Sequence, residues 1–539
     1  MYKGSVLWGK RIPLPLVKKT LSNGREIETF RDLPETMYGA LLRSAEKNPD
    51  KCAIEDDLGR VFTYRELVKE VDLFAACLVH KFQMKKGDHV GLMLYGSSEF
   101  GIAFLALVKI GAVAVVLPTK YQEQEIDALV EHADLQYILC DTDFEEWFRK
   151  YKTLQIMSCK PQEGELVFHS LEDIEGQAVI DEQGGYEDPV VMMFTSGTTS
   201  QSKGVILTNY NFLHAAAAYQ ACFHITSDDS AVIPVPTYMI TGLSALFGLF
   251  IYAGGTIYMH RFFKADKVLK CIQDKHVTFM HAAPTVYTLL LEEWNKFPKL
   301  PSLRCLACGG SRMQKEKIEK IHEWLPHCEF HTVYGMTETT SPGTILPENA
   351  IESKHMNSSG IPIPGLNYKI VDENGKELQA GETGEIMVSG ANIMAGYYKM
   401  DSGLYQNWWL KTGDVGYFTD EGYCYVLDRK KDMINRGGEK ITSIDVENVL
   451  YQIPGIAEAA IVGIPHKIYG ETPVALIQLE KDISVSSKEI TEYLKKRLAK
   501  YKIPSEIRFT EAIPLTPNGK IDKKKIRKIF IEEEKQETI

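Results

Sequence analysis

The sequence predicts an α/β fold, with a large N-terminal domain of two αβ sheet subdomains plus a β-rich subdomain, and a small α+β C-terminal domain. Three features of the 539-residue chain predict it. Short apolar runs alternate with helical patterns up to about residue 360, short strands separated by glycines follow, and the charged connector 428–432 precedes a last segment with its own helices. The composition, 44% hydrophobic and 25% charged, is that of a globular chain long enough for several domains.

The two αβ subdomains are predicted from two series of alternating elements. The first series has strands at 89–94 and 112–117 and helices at 100–110 and 123–132. The strands and helices of the second series are at 230–235, 242–253, 256–259, 267–275 and 277–281. This alternation is typical of βα units, so we expect two related sheets with parallel strands.

Two long apolar stretches, 100–118 and 239–259, resemble membrane spans in composition. Internal glycines divide each stretch, which suits buried core elements better than a helix that crosses lipid. We therefore expect no transmembrane segment. The first residues of the chain are interrupted by charges and by Pro13 and Pro15, so we expect no secretion signal either.

The pattern of predicted elements changes in the last third of the sequence. The β-rich subdomain is predicted from strands at 367–371, 384–388 and 423–427. The segment after the charged connector has predicted helices at 443–451 and 487–498 and a predicted strand at 459–462. We place the boundary between residues 430 and 431, which gives domains 1–430 and 431–539.

Charge and cysteine usage limit the possible functions. The net charge of −11 argues against a broad nucleic-acid-binding surface, because phosphate contacts need clustered basic residues. Ten cysteines scattered from Cys52 to Cys424 lack the spacing of a disulfide framework, which favours a reducing, cytoplasmic location. We interpret Cys305 and Cys308 as small residues of a buried strand that runs into Gly309.

A segment rich in hydroxyl groups, 194–205, follows the apolar strand 190–193 and precedes a helical pattern at 209–220. Backbone N–H groups, hydroxyls and one lysine in such a strand-to-helix loop can bind phosphate. The loop is not a Walker A motif, because Lys203 lies between Ser202 and Gly204. The candidate phosphate-binding residues are Thr195, Ser196, Gly197, Thr198, Thr199 and Lys203.

Four further motifs follow this loop along the chain. They are Tyr334-Gly-Met-Thr-Glu338, Thr412-Gly-Asp414, Asp428-Arg429 with Lys431, and Pro514-Leu-Thr-Pro-Asn-Gly-Lys520. In this order and spacing, the five motifs resemble those of the superfamily of adenylate-forming (AMP-binding) enzymes, which includes acyl-CoA synthetases and other acid:CoA ligases. The resemblance covers the chain from about Thr36 to Lys528.

The resemblance implies a role for each charged motif residue. Lys520 would be catalytic, because the attack of a carboxylate on the α-phosphate of ATP needs positive charge where the transition state develops. Glu338 would bind Mg²⁺, and Thr337 would bond the α-phosphate. Asp414 and Arg429 would hold the ribose hydroxyls.

The resemblance also implies roles for residues around the nucleotide and the thiol. Tyr334 would stack near the adenine, and the turn with Gly310 and Ser311 would pass beside it. Lys431 would be the hinge of a mobile C-terminal lid domain that carries Lys520. Gly438 would line the channel that admits the thiol of coenzyme A.

The candidate acyl pocket contains no basic side chain, which favours an apolar fatty or aryl monocarboxylic acid over a dicarboxylic acid. The segment 236–242 lacks the aspartate that amino-acid-activating relatives place there, so an α-amino acid is disfavoured. The family often has an aromatic residue followed by histidine at 238–239, whereas this chain has tyrosine and methionine. The candidate pocket residues are Tyr238, Met239, Gly309, Met336 and Ser341.

The phosphate loop departs from the family pattern at two positions. Ser200 and Ser202 occupy places where the family usually has glycine and proline. Because serine keeps a donor toward phosphate, we expect altered ATP affinity and not lost activity.

From these residues we expect an ATP-dependent, AMP-forming acid:CoA ligase that uses ATP, Mg²⁺ and coenzyme A. It would form an acyl-adenylate with release of pyrophosphate and then an acyl-CoA thioester. Two alternatives stay open at this point: an adenylation enzyme that loads a separate acyl carrier protein, and a nucleotide-binding protein without catalysis. The sequence does not indicate the oligomeric state.

Overall fold

The computed structural model describes residues 1–160, 179–195, 202–400, 405–406, 408–481, 483–516 and 520–536, with backbone only for 405–406 and 533–536. The chain forms two compact units. The first unit consists of Met1–Tyr368, Val388–Leu410 and Gly422–Cys424, and the second of Lys369–Met387, Lys411–Glu421 and Tyr425–Ile539. The predicted boundary between residues 430 and 431 stays a prediction.

The first unit contains two sheets with parallel centres, which confirms the α/β class predicted from the alternating elements. The first sheet has seven strands, of which five are parallel neighbours and two form an antiparallel edge. In spatial order its strands are Gly396–Tyr397, Lys203–Thr208, Pro189–Thr195, Val113–Val116, His89–Met93, Tyr137–Asp141 and Gln155–Cys159.

The second sheet has nine strands, with six parallel strands between antiparallel edges. In spatial order its strands are Ile361–Pro362, Thr344–Ile345, Glu329–Tyr334, Cys305–Cys308, Phe279–Ala282, Ser230–Ile233, Thr256–Met259, Cys52–Asp56 and Val61–Thr63. A separate hairpin pairs Leu16–Thr20 with Glu26–Phe30.

The helices of the first unit cover the faces of these sheets, as parallel strands require. Its α-helices are Gly4–Gly9, Met37–Lys47, Tyr64–His80, Ser98–Ile110, Glu123–His132, Glu145–Phe148, Asn209–Phe223, Leu249–Ala253, Ala265–Lys275, Pro284–Glu292 and Lys315–Trp324. Shorter 3₁₀ turns are Thr142–Phe144, Trp294–Lys296, Thr337–Thr339 and Ala350–Glu352.

The two apolar stretches lie in the core, as predicted. Every residue of the helix Ser98–Ile110 is buried, and its one charged residue near the C-terminal end, Lys109, is paired: its Nζ lies 2.6 Å from Asp72 Oδ1. The second stretch begins as a π-helix, Thr241–Gly248, and continues as the α-helix that ends at Ala253. Within the described ranges, no helix combines the length and apolar character needed to cross a bilayer.

The predicted burial of Cys305 and Cys308 in a strand is also confirmed. The strand Cys305–Cys308 is buried along its whole length, and all ten cysteines are free thiols. Over the part of the chain that the structure describes, no three His, Cys, Asp or Glu side chains are grouped so that they could hold a metal ion.

The second unit contains parts of four paired strands and a small α+β fold. The boundaries between the two units fall inside the four strands, which are Leu366–Val371, Gly384–Gly390, Trp409–Phe418 and Cys424–Arg429. The small fold has the strands Glu439–Ile441, Ile434–Arg436, Gly470–Leu479, Ile456–His466 and Glu506–Thr510. Its helices are Ser443–Leu450, Ser487–Lys495 and Lys523–Gln536, with a 3₁₀ turn at Lys500–Lys502.

Candidate active site

The predicted strand-to-helix geometry of the phosphate loop is wrong. Thr195 and Lys203 are opposed in an antiparallel pair, so the loop between them connects two strands of a hairpin. The helix that was expected to follow the loop begins only at Asn209, after the strand Lys203–Thr208. The loop therefore does not lead directly into that helix, and its role in binding phosphate stays a prediction. Ser196, Gly197, Thr198 and Thr199 lie outside the described residues.

A tyrosine that the sequence analysis did not select connects this hairpin to the predicted magnesium carboxylate. Tyr397 is paired with Val205 in the antiparallel edge of the first sheet. The Lys203 ammonium lies over the Tyr397 ring, 5.1 Å from its centroid. The Tyr397 hydroxyl donates a hydrogen bond of 2.8 Å to Glu338 Oε1. One side chain thus touches both Lys203 and Glu338.

Most candidate residues of the first unit follow the carboxyl ends of neighbouring parallel strands. Ala282, Cys308 and Thr332 are aligned in register in three adjacent strands of the second sheet. The glycine turn 309–311 follows the middle strand, and the segment 334–338 follows the outer one. In open α/β sheets this edge is where ligands bind, so the register alone brings the candidates Gly310, Ser311 and Tyr334 to one place.

Glu338 lies in the 3₁₀ turn Thr337–Thr339, directly after this edge. The residue is 9% exposed, and its backbone oxygen accepts a hydrogen bond from Met394 N at 2.9 Å. Only Oε1 is engaged by Tyr397, and a carboxylate has about four acceptor positions, so acceptor capacity is left for a cation. A single carboxylate beside phosphate oxygens is the donor set that Mg²⁺ takes in nucleotide sites, and Glu338 fits that role.

The turn after Glu338 is held in a strained backbone conformation. Thr340 and Ser341 have φ values of 52° and 87°, in the left-handed region that residues other than glycine seldom adopt. Asn392 stabilises the turn, because its Nδ2 donates to Thr339 O at 2.8 Å and to Pro342 O at 2.6 Å. Its own backbone oxygen accepts from Thr340 Oγ1 at 2.8 Å.

Two glycines permit close backbone approach around this turn. A Cβ on Gly335 would lie 1.5 Å from Ser341 O, so no side chain fits there. A Cβ on Gly309 would lie 3.0 Å from Val333 O and 3.1 Å from His281 Nε2. The candidate pocket residue Gly309 therefore borders the imidazole of His281.

The structure joins two of the predicted pocket residues through side chains that the sequence analysis did not name. Ser341 Oγ is 3.0 Å from the hydroxyl of Tyr219, and the Tyr219 ring lies edge-on to His281 with centroids 5.8 Å apart. His281 in turn borders Gly309. The buried residues Tyr219 and His281 look like core in the sequence, since each lies within an apolar element.

The remaining pocket candidates have separate environments. Tyr238 is buried, and burial raises the pKa of its phenol, with the Tyr121 side chain nearby adding to the shift. Met239 is half-buried, and its backbone N–H donates to Pro236 O at 3.0 Å. Met336 precedes the 3₁₀ turn, and its N–H donates to Thr339 Oγ1 at 3.1 Å.

In the second unit, the structure brings together the two residues expected at the ribose. Arg429 Nε lies 2.6 Å from Asp414 Oδ1, and the Asp414 side chain is buried whereas Arg429 is exposed. Gly413, with a φ of 73°, accepts a hydrogen bond from Lys430 N at 2.8 Å.

The other three candidates of this unit lie on exposed backbone. Lys431 occupies a turn, and Gly438 has a φ of 94°, which explains the glycine through its backbone conformation. Lys520 is exposed, and its backbone exchanges two hydrogen bonds with Thr516, at 2.7 Å and 3.2 Å. The residues between Thr516 and Lys520 lie outside the description. The hinge, channel and catalytic roles of these residues stay predictions.

Comparison with known protein families gives matches to both parts of the chain. The family model described as AMP-binding enzyme matches residues 41–398, and the model described as AMP-binding enzyme C-terminal domain matches residues 445–520.

Among curated proteins, the chain is similar to the 2-succinylbenzoate–CoA ligases of Bacillus licheniformis and Bacillus subtilis. The first is 34% identical over 495 residues, which is 90% of this chain and 98% of the relative. The second is 35% identical over 489 residues, with 89% and 96% covered.

Among solved structures, the chain is similar to the Bacillus subtilis o-succinylbenzoate CoA synthetase in complex with its acyl-adenylate intermediate. The TM-score is 0.82 at 31% identity, covering 92% of this chain and 99% of that one. It is also similar to ATP-bound MatB from Rhodopseudomonas palustris, with a TM-score of 0.85 at 26% identity, covering 92% and 98%.

Proposed function

Since this chain belongs to the AMP-binding enzyme family, with a family model that spans residues 41–398, we propose that it is an acid:CoA ligase acting on an aryl carboxylic acid. It is an AMP-forming enzyme that uses ATP, Mg²⁺ and coenzyme A. The curated relatives that cover about nine-tenths of the chain are CoA ligases, which supports thioester formation as the second half of the reaction.

The reaction has two steps. An oxygen of the acid attacks the α-phosphorus of ATP, which forms an acyl–phosphate anhydride and breaks the bond to pyrophosphate. The sulfur of coenzyme A then attacks the acyl carbonyl carbon, loses its proton, and displaces AMP with formation of a carbon–sulfur bond. Both steps bring anionic groups together, so the protein must supply cationic charge and hydrogen-bond donors at fixed positions.

The contact of Tyr397 with both Lys203 and Glu338 carries this proposal. It links the lysine of the phosphate loop to the carboxylate expected to hold the metal. When bound, Mg²⁺ neutralises phosphate charge and holds the phosphates in place. Thr195 and Lys203 bind the phosphates, Thr337 bonds the α-phosphate, and Asp414 with Arg429 holds the ribose. Lys520 supplies charge to the adenylation step, Lys431 is the hinge, and Gly438 admits the thiol.

The acid itself is proposed to be aromatic. The relatives at 34% and 35% identity carry the name of an aryl acid, 2-succinylbenzoate, and none of these names supports the fatty acid that the sequence analysis also allowed. Substrate choice depends on pocket shape, and one methylene group changes selectivity by only about 10- to 200-fold. An aryl acid is therefore a proposal about class and not about one compound.

The test is a measurement of pyrophosphate release from Mg-ATP with a panel of aryl, fatty and amino acids, with and without coenzyme A, while acyl-CoA is followed by mass spectrometry. We expect multiple turnovers only with an aryl acid and coenzyme A, together with a thioester of matching mass. An adenylate burst without thioester would indicate a carrier-protein acceptor instead. Pyrophosphate release with fatty acids only would contradict the aryl proposal, and no release with any acid would contradict catalysis.

A further inference from the structure

His281 is a buried histidine without a hydrogen-bond partner. It is 1% exposed, and it is the one histidine among the described residues with both ring nitrogens buried and unpaired. The fold satisfies comparable histidines: His214 is fully buried, with Nδ1 bonded to Thr29 Oγ1 at 3.0 Å and Nε2 to Pro364 O at 2.9 Å. Buried polar groups are normally paired, so an imidazole with two unpaired nitrogens indicates a missing polar partner.

The position of His281 identifies where that partner would come from. His281 lies in the strand Phe279–Ala282, whose carboxyl end belongs to the ligand-binding edge of the second sheet. Nε2 faces Gly309, and the ring packs against Tyr219, which is bonded to Ser341. Of the acyl-pocket candidates, Gly309 borders this ring directly, and Ser341 is connected to it through Tyr219.

The chemistry of the partner follows from the state of the ring. Burial lowers the pKa of His281 to about 3, so the imidazole is neutral at physiological pH. A neutral imidazole has one N–H donor and one acceptor nitrogen. It can therefore bind an oxygen of an uncharged carbonyl group or a carboxylate without contributing a positive charge. A methylene or aromatic C–H would leave it unpaired.

We propose that His281 determines which acid is accepted, by donating a hydrogen bond to a second oxygen acceptor that the acid carries beyond its reacting carboxylate. This inference rests on the proposed aryl-acid ligase function. It adds a requirement that the proposed function lacks: the preferred acid has a ketone or, in contrast to the monocarboxylic acid favoured by the sequence, a further carboxylate. A hydrocarbon acid of the same shape is then a poor substrate.

Four acids test the proposal in a two-by-two design. The first pair is 2-succinylbenzoate and 4-(2-carboxyphenyl)butanoate, and the second is 4-oxo-4-phenylbutanoate and 4-phenylbutanoate. Within each pair the acids differ only in the ketone, and between the pairs they differ only in the ring carboxylate. The kcat/KM for acyl-CoA formation is measured for all four with the full-length protein and with the variants His281→Leu and His281→Gln.

We expect the native protein to prefer one of the two acceptor groups by about 10- to 100-fold, because a site with a buried donor discriminates strongly against an analogue without the acceptor. His281→Leu should reduce that preference to within about threefold, by lowering kcat/KM only for acids that carry the acceptor. His281→Gln should retain most of the preference, because glutamine keeps an N–H donor. The comparison of the four acids in the native protein does not depend on a variant. A native protein without any preference therefore overturns the inference even where a variant folds poorly.

Several outcomes would overturn the inference. The native protein could form thioesters without preferring either group, or His281→Leu could lower kcat/KM for all four acids equally, as expected for a residue whose role is packing or binding a resident water. In both cases thioester formation would persist and the proposed function would stand. Failure to form a thioester from any aryl acid would instead overturn the proposed function, and this inference with it.

Discussion

Replacement of Tyr397 by phenylalanine tests whether the contact between the phosphate loop and Glu338 serves metal binding. Tyr397→Phe keeps the ring that lies under Lys203 and removes only the hydroxyl that donates to Glu338 Oε1 at 2.8 Å. A hydrogen bond to a charged group contributes about 1.5–3 kcal/mol, and loss of a residue that orients a metal ligand typically costs about 10- to 100-fold in affinity. We therefore expect the Mg²⁺ concentration for half-maximal pyrophosphate release to rise about 10- to 100-fold.

The neighbouring Tyr398 provides a matched control. Its hydroxyl also donates to a carboxylate, Asp134 Oδ2, at 2.6 Å, but this pair is exposed. Tyr398→Phe should leave the Mg²⁺ dependence within about twofold, because exposed polar pairs contribute little. The assay is pyrophosphate release over a Mg²⁺ titration, with thermal unfolding to compare stabilities. An unchanged Mg²⁺ midpoint in Tyr397→Phe, or an equal shift in both variants, would refute the reasoning.

Three further predictions concern the remaining parts of the molecule. Lys520→Ala should lower the rate of adenylation at least about 100-fold, because it removes the positive charge at the reacting phosphate. Lys524→Ala, which removes an exposed lysine from the same segment, should leave the rate unchanged. Equal rates of pyrophosphate release from the two variants would contradict the role of Lys520. Gly335→Ala should destabilise the first unit by about 3 kcal/mol, because the alanine Cβ would lie 1.5 Å from Ser341 O. The control Gly9→Ala should not destabilise it, because a Cβ there has no other atom within 4 Å. Similar melting temperatures of the two variants would exclude the clash. Burial lowers the pKa of His281 to about 3 and that of His214 to about 4, so from about pH 6.5 down to these values only the unfolded chain protonates these imidazoles. The free energy of unfolding should therefore fall as the pH decreases, by about 2 kcal/mol for each histidine at pH 5. The decrease in melting temperature from pH 7.5 to pH 5 should be smaller in His281→Leu than in the native protein, and an equal or larger decrease would argue against this effect.

Hydropathy patterns predicted the sheets well because burial on both faces leaves a clear signal. The strand at 256–259 and the helix at 123–132 were predicted with the bounds that the structure has. The sequence does not predict the strand Lys203–Thr208, because this strand follows directly on a glycine- and serine-rich loop. That strand owes its conformation to pairing with Pro189–Thr195 on one side and Gly396–Tyr397 on the other, and such pairing is not visible locally in the sequence.

Motifs predict candidate site residues, but they do not reveal which other side chains meet those candidates only in the fold. Asp414 and Arg429 were expected at one ligand and form an ion pair across adjacent strands. Tyr397 was not expected, since 59 residues separate it from Glu338 and its neighbour Tyr398 looks equivalent in the sequence. The strained backbone at Thr340 was equally invisible, because its cause is the set of hydrogen bonds made by Asn392.

The same reasoning separates the chemistry of activation from the choice of acid. Phosphate, ribose and metal present identical charges whatever acid is activated, so the residues that hold them form short polar motifs that a sequence displays. Side chains that distinguish one acid from another must be shielded from water, because only a buried polar group loses much when its partner is missing. A buried polar residue such as His281 lies in an apolar strand, where the sequence does not distinguish it from a core residue. Only its lack of hydrogen-bond partners in the structure sets it apart. If His281 does select the acid, substrate class in chains of this family is better sought among buried polar groups with no partner than in the motifs that identify the reaction.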